Sequence, residues 1–208
     1  MGRYIGPVCR ICRREKEKLF LKGAKCLMSK CPVEKGRTPP GEHGQRRKKS
    51  SEYGEQLREK QKLRKSYGML EKQFRNYFKK AEQMQGRPGE NLLRLLETRL
   101  DSVIVRLGFV TSPRAARQFV RHGHILINGR RVDYPGRQVR VGDIIEVRDR
   151  GTSRQRAAEA VEARLRDVPS WLQLNKNEFK AEVLRLPGRE DIPIPIDISL
   201  VVGLYSKV

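Results

Sequence analysis

Four cysteines, Cys9, Cys12, Cys26 and Cys31, follow the spacing C-x2-C-x13-C-x4-C near the start of the chain, and no other cysteine occurs. A short C-x2-C or C-x4-C turn aims two sulfurs at one point, and two such turns complete a tetrahedron of thiolates. Disulfides are disfavoured in a reducing cytoplasm, so the pattern predicts metal ligation. Protein would fill all four positions, leaving no open site for water or substrate, so the metal would be structural. Zinc is the expected ion, although four thiolates also suit an iron–sulfur cluster. The alternative, four unrelated buried thiols, is opposed by their confinement to one segment.

That segment has only Leu19, Phe20 and Leu21 as a compact apolar cluster, so metal binding would supply much of its folding free energy. The metal would then present Arg3, Arg10, Arg13, Arg14, Lys22, Lys25, Lys30 and Lys35, diluted by three glutamates up to Lys35. Such a surface suits phosphate. Composition points the same way: 46 Lys+Arg against 24 Asp+Glu give a net charge of +22 on 208 residues. Self-repulsion of that size works against compaction, and a polyanionic partner relieves it. No run approaches the ~20 apolar residues of a spanning helix, and "MGRYIGPVCR" lacks the apolar core of a signal peptide. Gly6 stands where a myristoylation signal wants Ser or Thr. A cytoplasmic protein with no membrane partner is expected.

Pro39, Pro40 and Gly41 mark an extended linker, followed by a block of positive charge at Arg46, Arg47, Lys48 and Lys49. His43 reads as a loop histidine contacting phosphate or backbone. A helix is expected from Ser51 as N-cap, with Glu52 and Glu55 in its first turn and a stop at Gly68. It carries the basic candidates Lys60, Lys62 and Arg64 above a thin apolar stripe of Leu57 and Leu63. A second helix, from about Glu71 to Gln85, repeats Phe74, Tyr77, Phe78 and Ala81 at helical spacing, which reads as core rather than as base-stacking rings.

Between Asn91 and Val147 the pattern is richest. Leu92, Leu93, Leu96, Leu100, Val103, Ile104 and Leu107 predict one helix that runs to Gly108. Ser112 caps the next helix, Pro113 opens it, and Gly123 follows its end. On that helix Ala116, Phe119 and Val120 share one face, leaving Arg114, Arg117, Gln118 and Arg121 on the other. Guanidiniums a turn apart repel unless an anion lies across them, and their planar fork suits phosphate oxygens. "HILIN", the turn Asn128-Gly129, "RRVD" and "VGDIIEV" then predict a small sheet, with Arg130 and Arg131 beside the hairpin. His122 and His124 flank Gly123 without a cysteine, serine or carboxylate constellation, so capping or RNA contact is expected of them rather than catalysis.

The segments "LETRLDSVIVRLGF", "SPRAARQFVRHGHILINGRRV" and "VGDIIEV" resemble the small RNA-binding module named after the bacterial-type small-subunit ribosomal protein S-four family. "GRY", "PPGEHGQ", "LREKQKLRKSYG", "QFRNYF" and "LRLPGRED" extend the resemblance over nearly the whole chain, in the family's four-cysteine form. The resemblance implies a structural component of the small ribosomal subunit that binds small-subunit (16S) rRNA early and nucleates assembly of its 5′ domain. It further implies contact with ribosomal protein S-five and neighbouring small-subunit proteins, a position near the mRNA entrance, and a part in translational accuracy with S-twelve. Four-cysteine members are similar in carrying a metal there. The module would be an insertion in a helical part completed by the C-terminal segment, and the family ends in a helix, although Gly203 weakens that reading here.

The expected class is α+β: a metal-bound basic segment and linker (1–44), a helical rRNA-binding domain (45–96), the module of two helices and a small antiparallel sheet (97–160), and C-terminal strands and helix (161–208). RNA contacts are expected at Arg3, Arg10, Arg13, Arg14, Arg46, Arg47, Lys48, Lys49, Lys60, Lys62 and Arg64, and at Arg99, Arg114, Arg117, Arg121, His124, Arg130 and Arg131. No catalytic residues are expected. An RNA-modifying enzyme would need a triad, phosphate loop or paired acidic site outside the module, and none is evident. A zinc-dependent DNA-binding regulator would show a recognition helix or a C-x2–4-C…H-x3–5-H finger, and neither is present.

Overall fold

The computed structural model describes residues 4–42, 44, 51–163, 167–192 and 194–206. Contacts divide the chain into two units, Met1–Leu92 with Ile194–Val208, and Leu93–Pro193.

The first unit contains α1 (Cys9–Glu15), a 3-10 turn (Gly23–Cys26), α2 (Glu52–Ser66), α3 (Glu71–Gln83) and the start of α4 (Pro88–Glu97), and it is completed by the C-terminal helix, α8 in chain order (Ile198–Ser206). Ser51 caps α2 by accepting the Gly54 N–H at 3.2 Å, as its position before Glu52 and Glu55 predicts. Phe74, Phe78 and Ala81 form the buried face of α3. Tyr205 of α8 stacks on Phe78 with ring centroids 4.2 Å apart. Burial of Val201 and Leu204 makes the last segment helical in spite of Gly203, because tertiary packing outweighs the ~1 kcal/mol propensity cost of a helical glycine. At Gly89 in α4 a side chain is excluded, since a Cβ there would lie 2.8 Å from Ile198 Cγ1.

The second unit runs through the end of α4, α5 (Leu100–Arg106), α6 (Pro113–Arg121), β1 (Ile125–Ile127), β2 (Arg130–Val132), β3 (Ile144–Val147), α7 (Gly151–Glu162), β4 (Leu172–Asn175) and β5 (Lys180–Val183). The strands form one antiparallel sheet in the order β2-β1-β3-β5-β4. Ile125 and Ile127 of β1 lie opposite Val147 and Ile145 of β3, and Ile145 lies opposite Ala181 of β5. All of these are buried and join Val103, Ile104, Phe109, Phe119 and Trp171 in one core. Helices with a small antiparallel sheet make the chain α+β.

Two expectations are corrected. The single helix expected up to Gly108 is two helices, broken at Thr98 and Arg99. There the segment 135–139 takes up backbone groups: Leu100 N–H donates to Arg137 O at 2.8 Å, Asp101 N–H to Pro135 O at 3.1 Å, and Val139 N–H to Thr98 O at 2.9 Å. The heptad-like leucines continue through this break, so periodicity alone could not reveal it. Second, 161–193 does not group with the C-terminal helix: β4 and β5 extend the module's sheet through β3. Cross-strand pairing with a distant edge leaves no local mark in the sequence.

Around the break sits a buried ion pair, in which Arg106 donates through Nε and Nη2 to both oxygens of Glu97 at 2.8 and 2.5 Å. Removing one partner strands the other charge inside the fold. Arg106→Met should therefore destabilise the second unit by about 3–5 kcal/mol, while Glu97→Leu with Arg106→Leu loses less; denaturant unfolding of the variants checks the ranking.

In the first unit burial opposes ionisation of Glu71, but Lys60, Arg64 and the Tyr205 hydroxyl outweigh it and hold the carboxyl below its ordinary value of 4.5. A lowered folded-state value stabilises fully above the unfolded value and stops doing so as pH falls through the folded one. The first unit should thus lose stability on acidification below 4.5, and Glu71→Gln should flatten that loss in an acid titration followed by circular dichroism.

Candidate nucleic-acid interface

The module's basic surface is built from local signals that hold. Ser112 accepts the Ala115 N–H at 3.3 Å and starts α6, whose inner face buries Ala116, Phe119 and Val120. Arg114 and Arg121 are exposed on the outer face. The hairpin turn has φ of 50° at Asn128 and 75° at Gly129, which only residues tolerant of the left-handed region accept. Asn128 fixes it further, donating from Nδ2 to Asp143 at 2.9 Å and accepting the Ile144 N–H at 2.8 Å. Arg130 and Arg131 stand exposed on the return strand. The Arg131 guanidinium lies directly against Gly123, where φ is +72° and a Cβ would collide with it. Arg114, Arg121, Arg130 and Arg131 are thus carried on rigid elements of one unit.

Other expected contacts are placed differently. Arg99 is corrected outright: it is 0% exposed, and its Nε and Nη2 donate to Asp101 at 3.0 and 2.7 Å. Arg117 is half-buried, with 11% of its side chain exposed and Nη1 3.9 Å from Asp101. A basic residue on the polar side of an amphipathic helix still turns inward where a buried carboxylate waits.

The row on α2 is likewise engaged within the first unit. Lys60 is 8% exposed, donates to Glu71 at 2.7 Å and sits over the Tyr205 ring. Lys62 reaches Glu59 at 2.7 Å and Glu17 at 2.9 Å. Burial works against its charge, but the two carboxylates outweigh that and raise its pKa. Arg64 pairs with Glu71 at 3.4 Å and with Gln61 at 2.6 Å. In the folded unit these three cations face carboxylates, so an RNA phosphate would have to compete with Glu71, Glu59 and Glu17 for them. The basic face that is open lies on α3, where Lys72, Arg75 and Lys79 are exposed opposite Phe74 and Phe78. Its spacing is visible in the sequence, although the aromatic pattern of the same helix is the stronger local signal.

In the N-terminal segment Arg10 and Arg14 are exposed on α1 and Arg13 Nε donates to Thr38 O at 2.7 Å. Arg3, His43, Arg46, Arg47, Lys48 and Lys49 lie outside the described residues. Cys9 and Cys12 sit on α1, Cys26 ends the 3-10 turn, and Cys31 follows it; none is in a disulfide. Burial pushes the Cys12 thiol up, against the pull of the Leu19 N–H, and the Cys26, Cys9 and Cys31 sulfurs push it up further. The four sulfurs therefore share one neighbourhood. Lys22 N–H donates to Cys26 Sγ at 3.4 Å, the kind of amide-to-sulfur bond that steadies a metal-bound thiolate. Thiols are the donor type a structural metal takes, but among the described residues no three His, Cys, Asp or Glu side chains stand in metal-holding geometry.

Among the described residues no helix is long and apolar enough to cross a membrane. Residues 3–97 match the family described as Ribosomal protein S4/S9 N-terminal domain, and residues 98–145 match the S4 domain. Over 208 residues the chain is 52% identical to the Small ribosomal subunit protein uS4 of Geotalea daltonii, covering 100% of both chains. It is 53% identical over 207 residues to the protein of that name from Thermoanaerobacter pseudethanolicus, again over 100% of both. A helix-and-hairpin module with an arginine face, preceded by a basic helical unit and similar from end to end to these proteins, places the chain in the small ribosomal subunit protein uS4 family.

Proposed function

We propose that the protein is a structural, non-enzymatic component of the cytoplasmic small ribosomal subunit, which binds small-subunit rRNA directly and nucleates assembly of the 5′ domain. The exposed set Arg114, Arg121, Arg130 and Arg131 on fixed elements carries this reading. Helical RNA has a deep, narrow major groove, so recognition rests on phosphates and 2′-hydroxyls across a folded junction. Arginine forks held in advance by α6 and the hairpin meet phosphate oxygens with little further ordering. Contacts with ribosomal protein S-five and neighbouring proteins, a place near the mRNA entrance and a part in translational accuracy belong to the same proposal, which the family membership supports.

Filter binding to a 5′-domain rRNA transcript and to a scrambled transcript of equal length, each titrated with salt, tests it. The first should be bound more tightly and hold to higher salt; equal, salt-fragile binding to both would reduce the affinity to net charge. Arg121→Glu with Arg130→Glu should weaken the specific complex by at least about 100-fold, since each of two sites loses a favourable phosphate contact and gains repulsion. The thermal unfolding of this variant should match that of the wild type, because both side chains are exposed; unchanged binding would remove this face from the interface.

The proposal includes a structural zinc held by Cys9, Cys12, Cys26 and Cys31, with an iron–sulfur cluster as the alternative occupant. When bound, the metal supplies a crosslink between α1 and the turns after it, in a segment whose own apolar core is Val8, Ile11, Cys12, Leu19 and Leu21. Metal analysis should find one zinc per chain in a colourless protein, and a brown, iron-containing protein would indicate the cluster. Cys9→Ser should lower the metal content and raise amide exchange in the N-terminal segment while the sheet of the second unit keeps its protection. Loss of protection throughout the chain would show that the second unit depends on the metal.

A further inference from the structure

A second group of cations in the Leu93–Pro193 unit lies at the corner between β3 and α7, around His124. The backbone N–H of Arg148 donates to His124 O at 2.8 Å just after β3 ends. His124 Nδ1 lies 2.8 Å from the Oγ of Ser153, which is fully buried in α7. The ring packs on Phe119 with centroids 4.7 Å apart and lies 6.0 Å from the ring of His122. The imidazole is therefore fixed by α6, the β3 end and α7, and among the described residues its other nitrogen has no hydrogen-bond partner.

The charges facing this ring are cationic. His122 caps the end of α6, Arg148 directly follows β3, Arg150 is the N-cap of α7 and its carbonyl accepts the Ser153 N–H at 2.8 Å, and Arg156 stands on α7 three residues beyond Ser153; all four charges act on the ring. Arg131 contributes from β2, lying over Gly123 next to His124. Asp149, between Arg148 and Arg150, has its side chain 79% exposed and pairs with Arg154 at 3.2 Å. Burial, then His122, Arg156, Arg150 and Arg148, hold the imidazole below its ordinary value of 6.5, favouring the uncharged ring. Three arginines beside a positioned ring make a cationic site in which, among the described residues, the charges that act on the ring include no carboxylate.

We propose that this corner is a second phosphate-binding surface for RNA, in which a backbone phosphate sits among His124, Arg148, Arg150 and Arg156. The inference rests on the rRNA-binding reading above and adds a consequence to it. A phosphate reverses the local field and favours the imidazolium. With Nδ1–H donating to Ser153 Oγ, Nε2 takes a proton from solvent and donates it to the phosphate oxygen. RNA binding through this corner therefore takes up a proton, and affinity rises as pH falls.

The test is filter binding of the full chain to the 5′-domain rRNA transcript at fixed salt from about pH 8.5 to 5.5, spanning the histidine range. The wild type should tighten roughly tenfold towards acid, as a pKa rise of one unit on binding requires, and His124→Gln should be flat. Independently, Arg150→Gln with Arg156→Gln, at exposed positions, should lower the slope of log affinity against log salt by about two. A His124→Gln variant that keeps the wild-type pH dependence, or an arginine variant that keeps the full salt slope, overturns the inference. Specific wild-type binding that does not respond to pH overturns the inference and leaves the rRNA reading standing. Absence of preference for rRNA over the scrambled transcript at every pH overturns both.

Discussion

Carboxylates are the scarce component of this chain, 24 against 46 lysines and arginines, and where they lie decides which cations belong to the fold. In the first unit Glu15, Glu17, Glu59 and Glu71 engage Lys65, Lys62, Lys60 and Arg64. In the second, Glu97 and Asp101 hold Arg106 and Arg99 inside the protein. A guanidinium loses its hydration on burial and stays there only with a bidentate partner. Other cations are exposed, and they gather on particular faces: the outer side of α6 with the hairpin, the open side of α3, and the corner around His124.

Those faces are useful to a polyanion because the elements under them are fixed before it arrives. The Asn128-Gly129 turn sets the direction of Arg130 and Arg131, and the Asn128–Asp143 bond ties the turn to β3. Gly123 lets a guanidinium rest on the backbone where any side chain would displace it. Ordering long side chains costs free energy on binding, and each of these devices would reduce that cost for the RNA proposed to bind there. Specificity would then come from shape, since phosphates in the right places identify a folded junction and not a base sequence.

The N-terminal segment has little apolar core of its own. Two of its acidic residues, Glu15 and Glu17, pair with α2. The Glu15 carboxylate in these pairs is buried, with 1% of its side chain exposed. The metal proposed for the four thiols would supply what apolar burial lacks in this segment.

Much of the local structure was legible in the sequence. Ser51 and Ser112 announce helix starts because a side-chain oxygen ahead of a helix satisfies one of its orphan N–H groups, and Asn128-Gly129 announces a hairpin because both residues tolerate positive φ. Net charge announced a polyanionic partner, and the amphipathic pattern of α6 placed Arg114 and Arg121 outside. Tertiary structure alone decided the rest. It broke the leucine-rich helix at Thr98 and Arg99 by offering the backbone of 135–139, it joined β4 and β5 to the sheet, and it kept the last helix intact around Gly203 by burying Val201 and Leu204. It also turned Arg99 and Lys60 inward, onto Asp101 and Glu71. A cap or a turn is settled by neighbours in sequence, so it can be read there; whether a cation faces solvent or a carboxylate is settled by which distant residue folding brings beside it.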